Sequence, residues 1–433
     1  MTAQTLLTRA AAQRPPMAAE PPLPVAAPPV RCADTGLYMR IVPLKAYDNP
    51  NGRERWHNLA VRALVPNVFY EPEFAIPAMI PFGDDVQLLL IADERGPDVQ
   101  LLGLLPFRIS TRRWGVPLPV AVAWNHPFAA LGVPLIDRDR ARDTIATLLN
   151  AARVLPGMPR RMVLPLIPDH GPFAELLDEL LQQDNLRELR LDRYARAILD
   201  PPLGARDHYL ENKLSSRTRG KMRTELRRIE RQGTVTFDTI TARDEIDEAL
   251  EDFLALEAAG WKGRGGTAVS CSPAEIEFLR QTVRNLAACG RVRIDRLRLD
   301  GRTLASSIIY LTGDQAWCAK ICYDESQAAS SPGSQLVMYI TSELLADPSI
   351  ARADSCTPPN RPFMSKFWGE QLPLSNRVIE LAGGDPLHPL AAMLEQGRRR
   401  LSHALHEFKE RRNASQDKRR RKNDDREKQS APE

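Results

Sequence analysis

The chain has 433 residues, 43% hydrophobic and 26% charged, which suits a soluble globular protein of two or three domains. Its net charge of +4 is unevenly spread: residues 398–433 carry 13 Lys/Arg against 7 Asp/Glu, and residues 206–233 carry 9 against 4. An acidic body with two local basic segments excludes a nucleic-acid coat, and no DNA partner is expected.

No run approaches the ~18 consecutive apolar residues of a membrane-spanning helix. Arg9 and Arg14 precede no apolar core of signal-peptide type, so a cytoplasmic location is expected. Residues 1–37 read as a disordered lead-in, rich in Pro and Ala (Pro15, Pro16, Pro21, Pro22, Pro24, Pro28, Pro29). The six cysteines form no C-x-x-C pair and read as free, buried thiols in a reducing compartment.

Residues 38–200 form the first predicted unit. Strands are expected at 38–44, 86–92, 99–108, 120–124, 162–167 and 189–199. Helices are expected at 53–64, 138–154 and 172–183. Residues 201–390 form the second. A basic helix at 214–232 opens it. Thr241 and Asp244 give a capping-box pattern before a helix with Ile246, Leu250, Phe253 and Leu256 inward. Ser272, Pro273 and Glu275 give another, and that helix should end at Gly290. Strands at 292–299, 304–311 and 316–323 follow, joined at Asp300–Gly301 and Gly313–Asp314. A helix at 334–345, a strand at 350–354, a short helix near 363–368 and a strand at 377–381 close the unit. This is an α+β order. The hairpin at 86–107 resembles the one at 292–311, a hint of duplication. Residues 391–433 read as a charged basic tail, a helix fraying into disorder.

Four strings could carry chemistry. Residues 323–336 place a strand end and a small-residue loop before a helix whose first amides would suit an anion such as pyrophosphate. The alternative is an ordinary N-cap at Ser331 or Ser334. Residues 256–267 put Trp261, Lys262 and four glycines at a helix end. Either Trp261 stacks on substrate and Lys262 binds an anion, or the first packs on the core and the second is solvated. Residues 358–369 set Lys366 among aromatics, as an anion binder or a snorkelling side chain. The basic helix, with Arg217, Arg219, Lys221, Arg223, Arg227, Arg228 and Arg231, is either a solvated face or a dock for an anionic partner. Templates for metal sites, a nucleophile elbow, a P-loop and a dinucleotide fold all fail. His126 reads as a structural histidine, with a base as the alternative.

The second half resembles the GNAT acyltransferase superfamily. It is most similar to its CelD-type branch, found with bacterial cellulose and exopolysaccharide biosynthesis and related to the FemAB aminoacyltransferases. The residues that carry this are the basic helix, F-L-A-L-E-A-A-G-W-K-G-R-G-G-T-A from Phe253 to Ala268, W-C-A-K-I-C-Y-D-E from Trp317 to Glu325, S-P-G-S-Q-L from Ser331, and Ser365 to Gly369. The resemblance implies tandem GNAT-like domains, each a mixed, mostly antiparallel sheet flanked by helices. It implies a GNAT-type, acyl-CoA-dependent acyltransferase that needs no metal. The acyl group would pass from acyl-CoA, or an acyl carrier protein, to an amine or hydroxyl of a small-molecule, sugar or envelope- or exopolysaccharide-related acceptor. The alternatives are a FemAB-like transferase using aminoacyl-tRNA and a non-catalytic GNAT-like binding module.

By that resemblance Ser331, Gly333, Ser334 and Gln335 would hold the donor. Asp324 and Glu325 are the candidate bases and Lys366 a third catalytic candidate. Trp261, Lys262, Lys320, Tyr323 and Trp368 would line the acceptor side. The loop departs from the usual Q/R-x-x-G-x-G/A signature, which leaves the donor open between acyl-CoA and another thioester or ester. Thr357-Pro358-Pro359-Asn360 stands where relatives tend to carry glycine, which would reshape the acceptor pocket. The basic tail is expected to meet a membrane surface or a polysaccharide synthase.

Overall fold

The computed structural model describes residues 28–83, 85–94, 99–266, 268–358 and 363–401. The lead-in up to residue 27 and the tail beyond 401 lie outside these described residues.

The described strands join into one 14-stranded sheet. Its longer members are β1 (Tyr38–Pro43), β2 (Gln87–Asp93), β3 (Gln100–Ser110), β4 (Val120–Ala123), β5 (Arg161–Pro168), β6 (Glu188–Leu199), β7 (Val235–Ile240), β8 (Val292–Leu299), β9 (Arg302–Thr312), β10 (Gln315–Tyr323), β11 (Arg352–Asp354) and β12 (Glu370–Glu380). Across the sheet they run β1-β2-β3-β4-β5-β12-β6-β11-β10-β9-β8-β7. The two halves repeat one plan: an antiparallel meander, then a short parallel pair. Those pairs are β4 with β5 and β10 with β11. All other pairings are antiparallel.

The halves exchange strands. β12, from the end of the chain, lies between β5 and β6. β6, from the first half, pairs with β11 of the second. The expected boundary at 200/201 therefore falls between strands that are bonded to one another across it.

The principal helices are α1 (Pro50–Val61), α2 (Pro72–Phe82), α3 (Ala141–Leu149), α4 (Pro172–Gln183), α5 (Ser216–Glu230), α6 (Ile246–Ala259), α7 (Pro273–Ala288), α8 (Pro332–Ala346) and α9, residues 388–401. One apolar core covers the first half and continues under α6 and α7. A second lies on the opposite face of the second half, where α8 packs. No helix of the described residues is long and apolar enough to cross a membrane.

Several local expectations need correction. α2 and β7 were not foreseen. α2 contains Pro77 and Pro81, which normally break helices; burial between the halves overrides that cost, with Phe74 edge-on to Phe278 of α7 at 5.3 Å. The 138–154 helix breaks at Asn150. α6 starts at Ile246 behind Glu245, not at the Thr241 cap. The Ser272 cap forms: its hydroxyl accepts the Glu275 N–H at 3.3 Å, and Gly290 ends the turn after α7 at φ +67°. All six cysteines are free, but only Cys32 and Cys322 are buried; Cys318 and Cys356 are half-buried, and Cys271 and Cys289 are exposed.

Because β12 has neighbours only in the first half, residues 201–390 expressed alone should not give a cooperative thermal melt. A sharp two-state melt of that fragment would contradict the strand exchange.

Candidate functional site

The parallel pair β10/β11 is only three residues deep. It ends at Trp317↔Asp354, while β10 runs on to Tyr323. Past that point the strands separate. On its other side β10 carries a bulge: Ile308 faces Lys320 and Ile309 faces Cys318, so Ala319 has no partner in the ladder. A bulge frees main-chain groups and re-aims the strand.

A cavity of about 870 Å³ opens at this separation. Ala319 and Lys320 line one wall, and Cys356, Thr357 and Pro358 line another. The segment 125–130, Tyr194 and Arg196 come from the first half. Cys271, Ser272 and Glu275 come from the start of α7. The cavity thus depends on both halves.

Its charged groups are held in place. Arg196, 3% exposed, pairs with Asp354 at 2.7 Å and donates to the Ala130 carbonyl at 2.6 Å. Asp354 also accepts the Cys356 N–H at 2.8 Å. Glu257 of α6 is 2% exposed. It accepts the Val269 N–H at 3.0 Å and the Lys320 ammonium at 3.4 Å. The same ammonium lies 4.8 Å from the centre of the Phe128 ring, a cation–π contact.

Burial pushes the Glu275 carboxyl above the usual carboxylate range, opposed by Lys320 and reinforced by Glu257. His126 stacks on Phe82 at 4.7 Å. Burial, then the Arg108 charge, brings its pKa down to about 3, so its imidazole is neutral near pH 7. Its buried Nδ1 has no partner among the described residues.

Of the residues singled out in the sequence, Lys320 lines this cavity. Tyr323, Asp324 and Glu325 line a neighbouring one of about 590 Å³. Asp324 caps the following turn by accepting the Ser326 N–H at 2.9 Å and pairs with Arg302 at 3.3 Å. Glu325 is ion-paired to Arg264. Ser331 is left-handed, at φ 49° and ψ 50°. Its carbonyl accepts the Ser334 and Gln335 amides at 2.9 and 3.2 Å. A Cβ at Gly333 would come within 3.3 Å of the Tyr323 ring, so glycine here lets α8 approach the strand end.

Gln335 donates its side-chain amide to the Met222 carbonyl of α5 at 2.9 Å, and Arg228 of α5 donates to the Ala329 carbonyl at 2.8 Å. The basic helix therefore lies over the loop expected to hold the donor. Lys366 is exposed, 5.9 Å from the Phe363 ring centre. Trp368 is a correction: it is fully buried, its indole N–H given to Thr341 at 2.9 Å, and it packs the second core. Trp261 and Lys262 stand in the short helix Trp261–Arg264, and their side chains lie outside the described residues.

Sequence reasoning passed over Glu257, Glu275, Arg196 and Ala319 as site residues. Glu275 carried a signal, but it was absorbed into the capping pattern. Among the described residues, no group of three or more His, Cys, Asp or Glu could hold a metal.

Residues 216–361 match the family described as acetyltransferase (GNAT) domain. No curated protein matches the chain. Among solved structures, FemX superposes with a TM-score of 0.52 at 11% identity, over 78% of this chain and 98% of its own. L-PGS from Bacillus licheniformis gives 0.47 at 15% identity, over 80% and 95%. A tandem GNAT protein from the clavulanic acid biosynthesis pathway gives 0.40 at 13% identity, over 80% and 100%. The likeness to FemX is one of fold.

Glu257→Ala would remove the carboxylate that pairs with the Lys320 ammonium and accepts the Val269 amide. Loss of one partner of a buried pair should cost about 3 kcal/mol in chemical denaturation. Hydrogen exchange should also quicken at residues 268–272. Unchanged exchange there would show that Glu257 does not hold the cavity wall.

Proposed function

We propose that this chain, with a GNAT domain over residues 216–361, is a transferase that moves an acyl group from an activated thioester or ester to an amine or hydroxyl. The reaction takes place in the cavity where β10 leaves β11. The observation that carries this reading is the bulge at Ala319 on the cavity wall. A main-chain N–H outside the ladder can donate to the donor's carbonyl oxygen, where negative charge grows as the acceptor attacks.

Glu275 serves as the base. A carboxyl raised by burial is matched to proton removal nearer neutral pH than an ordinary carboxylate. The acceptor's lone pair forms the new bond to the carbonyl carbon, and its proton passes to Glu275. The bond to the leaving sulfur or oxygen then breaks, and the leaving group departs with that electron pair. Lys320, fixed by Glu257 and Phe128, supplies positive charge beside the reacting carbonyl. Asp324 and Glu325 are already engaged by Arg302 and Arg264, so the base role is moved from them to Glu275.

The donor is acyl-CoA in the first reading. The loop from Ser331 to Gln335 opens α8 after β10 and is held to α5 through Gln335 and Arg228, so a helix start and arginines stand together. An aminoacyl-tRNA ester is the second reading, favoured by α5 itself, on which Arg217, Lys221, Arg223, Arg227 and Arg228 are all exposed. The acceptor is a small molecule or glycan, including one destined for the envelope or an exopolysaccharide.

Calorimetry with acetyl-CoA, longer acyl-CoAs and aminoacyl-tRNA separates the two donors. A folded protein that binds none of them contradicts the reading. Salt-sensitive tRNA binding lost in Arg227→Ala/Arg228→Ala would select the second donor. With a donor found, the rate should fall as pH drops through the raised Glu275 pKa, since only the carboxylate accepts a proton. Glu275→Gln should lose that limb and about 100-fold in kcat. A variant with the wild-type pH profile would remove Glu275 from the mechanism.

A further inference from the structure

The described residues expose nine large apolar side chains, and four of them cluster at one place: Leu387 (45%), Leu390 (41%), Met393 (60%) and Leu401 (62%). Leu387 stands in the turn before α9 and the other three on the helix. At 100° per residue, Leu390, Met393 and Leu401 fall within an arc of about 80°.

The opposite face fixes the helix. Glu395 is fully buried and accepts from Arg113 at 2.9 Å and from the Trp114 indole at 2.7 Å. Arg398 and Arg399 reach back to the same carboxylate at 2.7 and 2.9 Å. These partners hold the Glu395 carboxyl well below its usual range against the opposing effect of burial. With Glu395 and Ala391 turned inward, the apolar stripe is obliged to face solvent.

The sequence keeps the same spacing past the described residues with Ala404, Leu405 and Phe408. It then carries a basic run, Lys418-Arg419-Arg420-Arg421-Lys422, and residues 402–433 hold ten Lys/Arg against seven Asp/Glu. Arg400 is exposed beside the stripe. An apolar stripe with basic residues beside and after it is the pattern of a helix that lies in a membrane interface. A second copy of the chain fits less well. The described helix is about 20 Å long, too short for its stripe alone to supply the roughly 1,000 Å² of a specific interface.

We propose that α9 docks on an anionic lipid surface, with Leu390, Met393 and Leu401 at the headgroup–acyl boundary and Arg400 at the phosphates. This does not depend on the transferase reading.

The test is flotation of the full chain with vesicles containing phosphatidylglycerol and with vesicles of phosphatidylcholine alone. The chain should float with the first and not the second, and salt should weaken the binding. Leu390→Asp/Met393→Asp should reduce partitioning about tenfold or more. It should leave the melting temperature unchanged, since both side chains are exposed. No flotation overturns the proposal. So does flotation that the double variant leaves intact, which would assign binding to the tail's charge alone. Self-association lost in the double variant, without lipid binding, would give the stripe to a second copy and also overturn it.

Discussion

β12 enters the sheet between β5 and β6, and the rest of the molecule is arranged around that insertion. Its position is fixed by polar contacts along its length. Arg377 is fully buried and pairs with Asp178 at 2.5 Å and Glu188 at 3.3 Å, both from the first half. Asn376 accepts the Leu166 amide at 2.9 Å and donates to Asp192 at 2.7 Å. Glu380 pairs with Arg187 at 2.9 Å. A buried cation left without such partners is costly, by about 3–5 kcal/mol. These pairs therefore specify register as well as attachment. Because β12 and β6 are exchanged, the two halves cannot separate without opening the sheet at its centre.

That constraint explains where the cavity lies. The β10/β11 separation would be an open notch on the second half alone. The exchange brings the first half against it, so residues 125–130, Tyr194 and Arg196 close one side. The equivalent separation of β4 and β5 has another fate. β4 pairs with β3 in unbroken register. The space beside it, about 370 Å³, is bounded by Arg398 and Arg399 of α9. One repeat thus keeps a bulged strand beside a large cavity, while the other is bounded by α9.

Much of the second half was legible because its signals are local. Ser272 before Pro273 and the turn at Asp300–Gly301 act over a few residues. The failures were non-local. The prolines of α2 argue against a helix until Phe278 of α7 is known to pack on Phe74. Strand exchange leaves no mark in the sequence, since the residues of β12 read the same whichever neighbours the strand has. The site was half legible for the same reason. Lys320 and its partner Glu257 both sat in recognised motifs, but on different elements, and nothing local in the sequence pairs them. Trp368 was mistaken for a binding residue because an aromatic beside a lysine has the composition of a site. Only its Thr341 contact reveals a core residue.

The central claim is that an activated acyl donor occupies the cavity beside Ala319. Cys271 lines that cavity and is exposed, while Cys289 is exposed elsewhere. The rate of maleimide labelling at each, with and without saturating donor, tests the claim directly. The account predicts that donor slows labelling of Cys271 and leaves Cys289 unchanged. Equal rates at Cys271 with and without a donor that binds would contradict it.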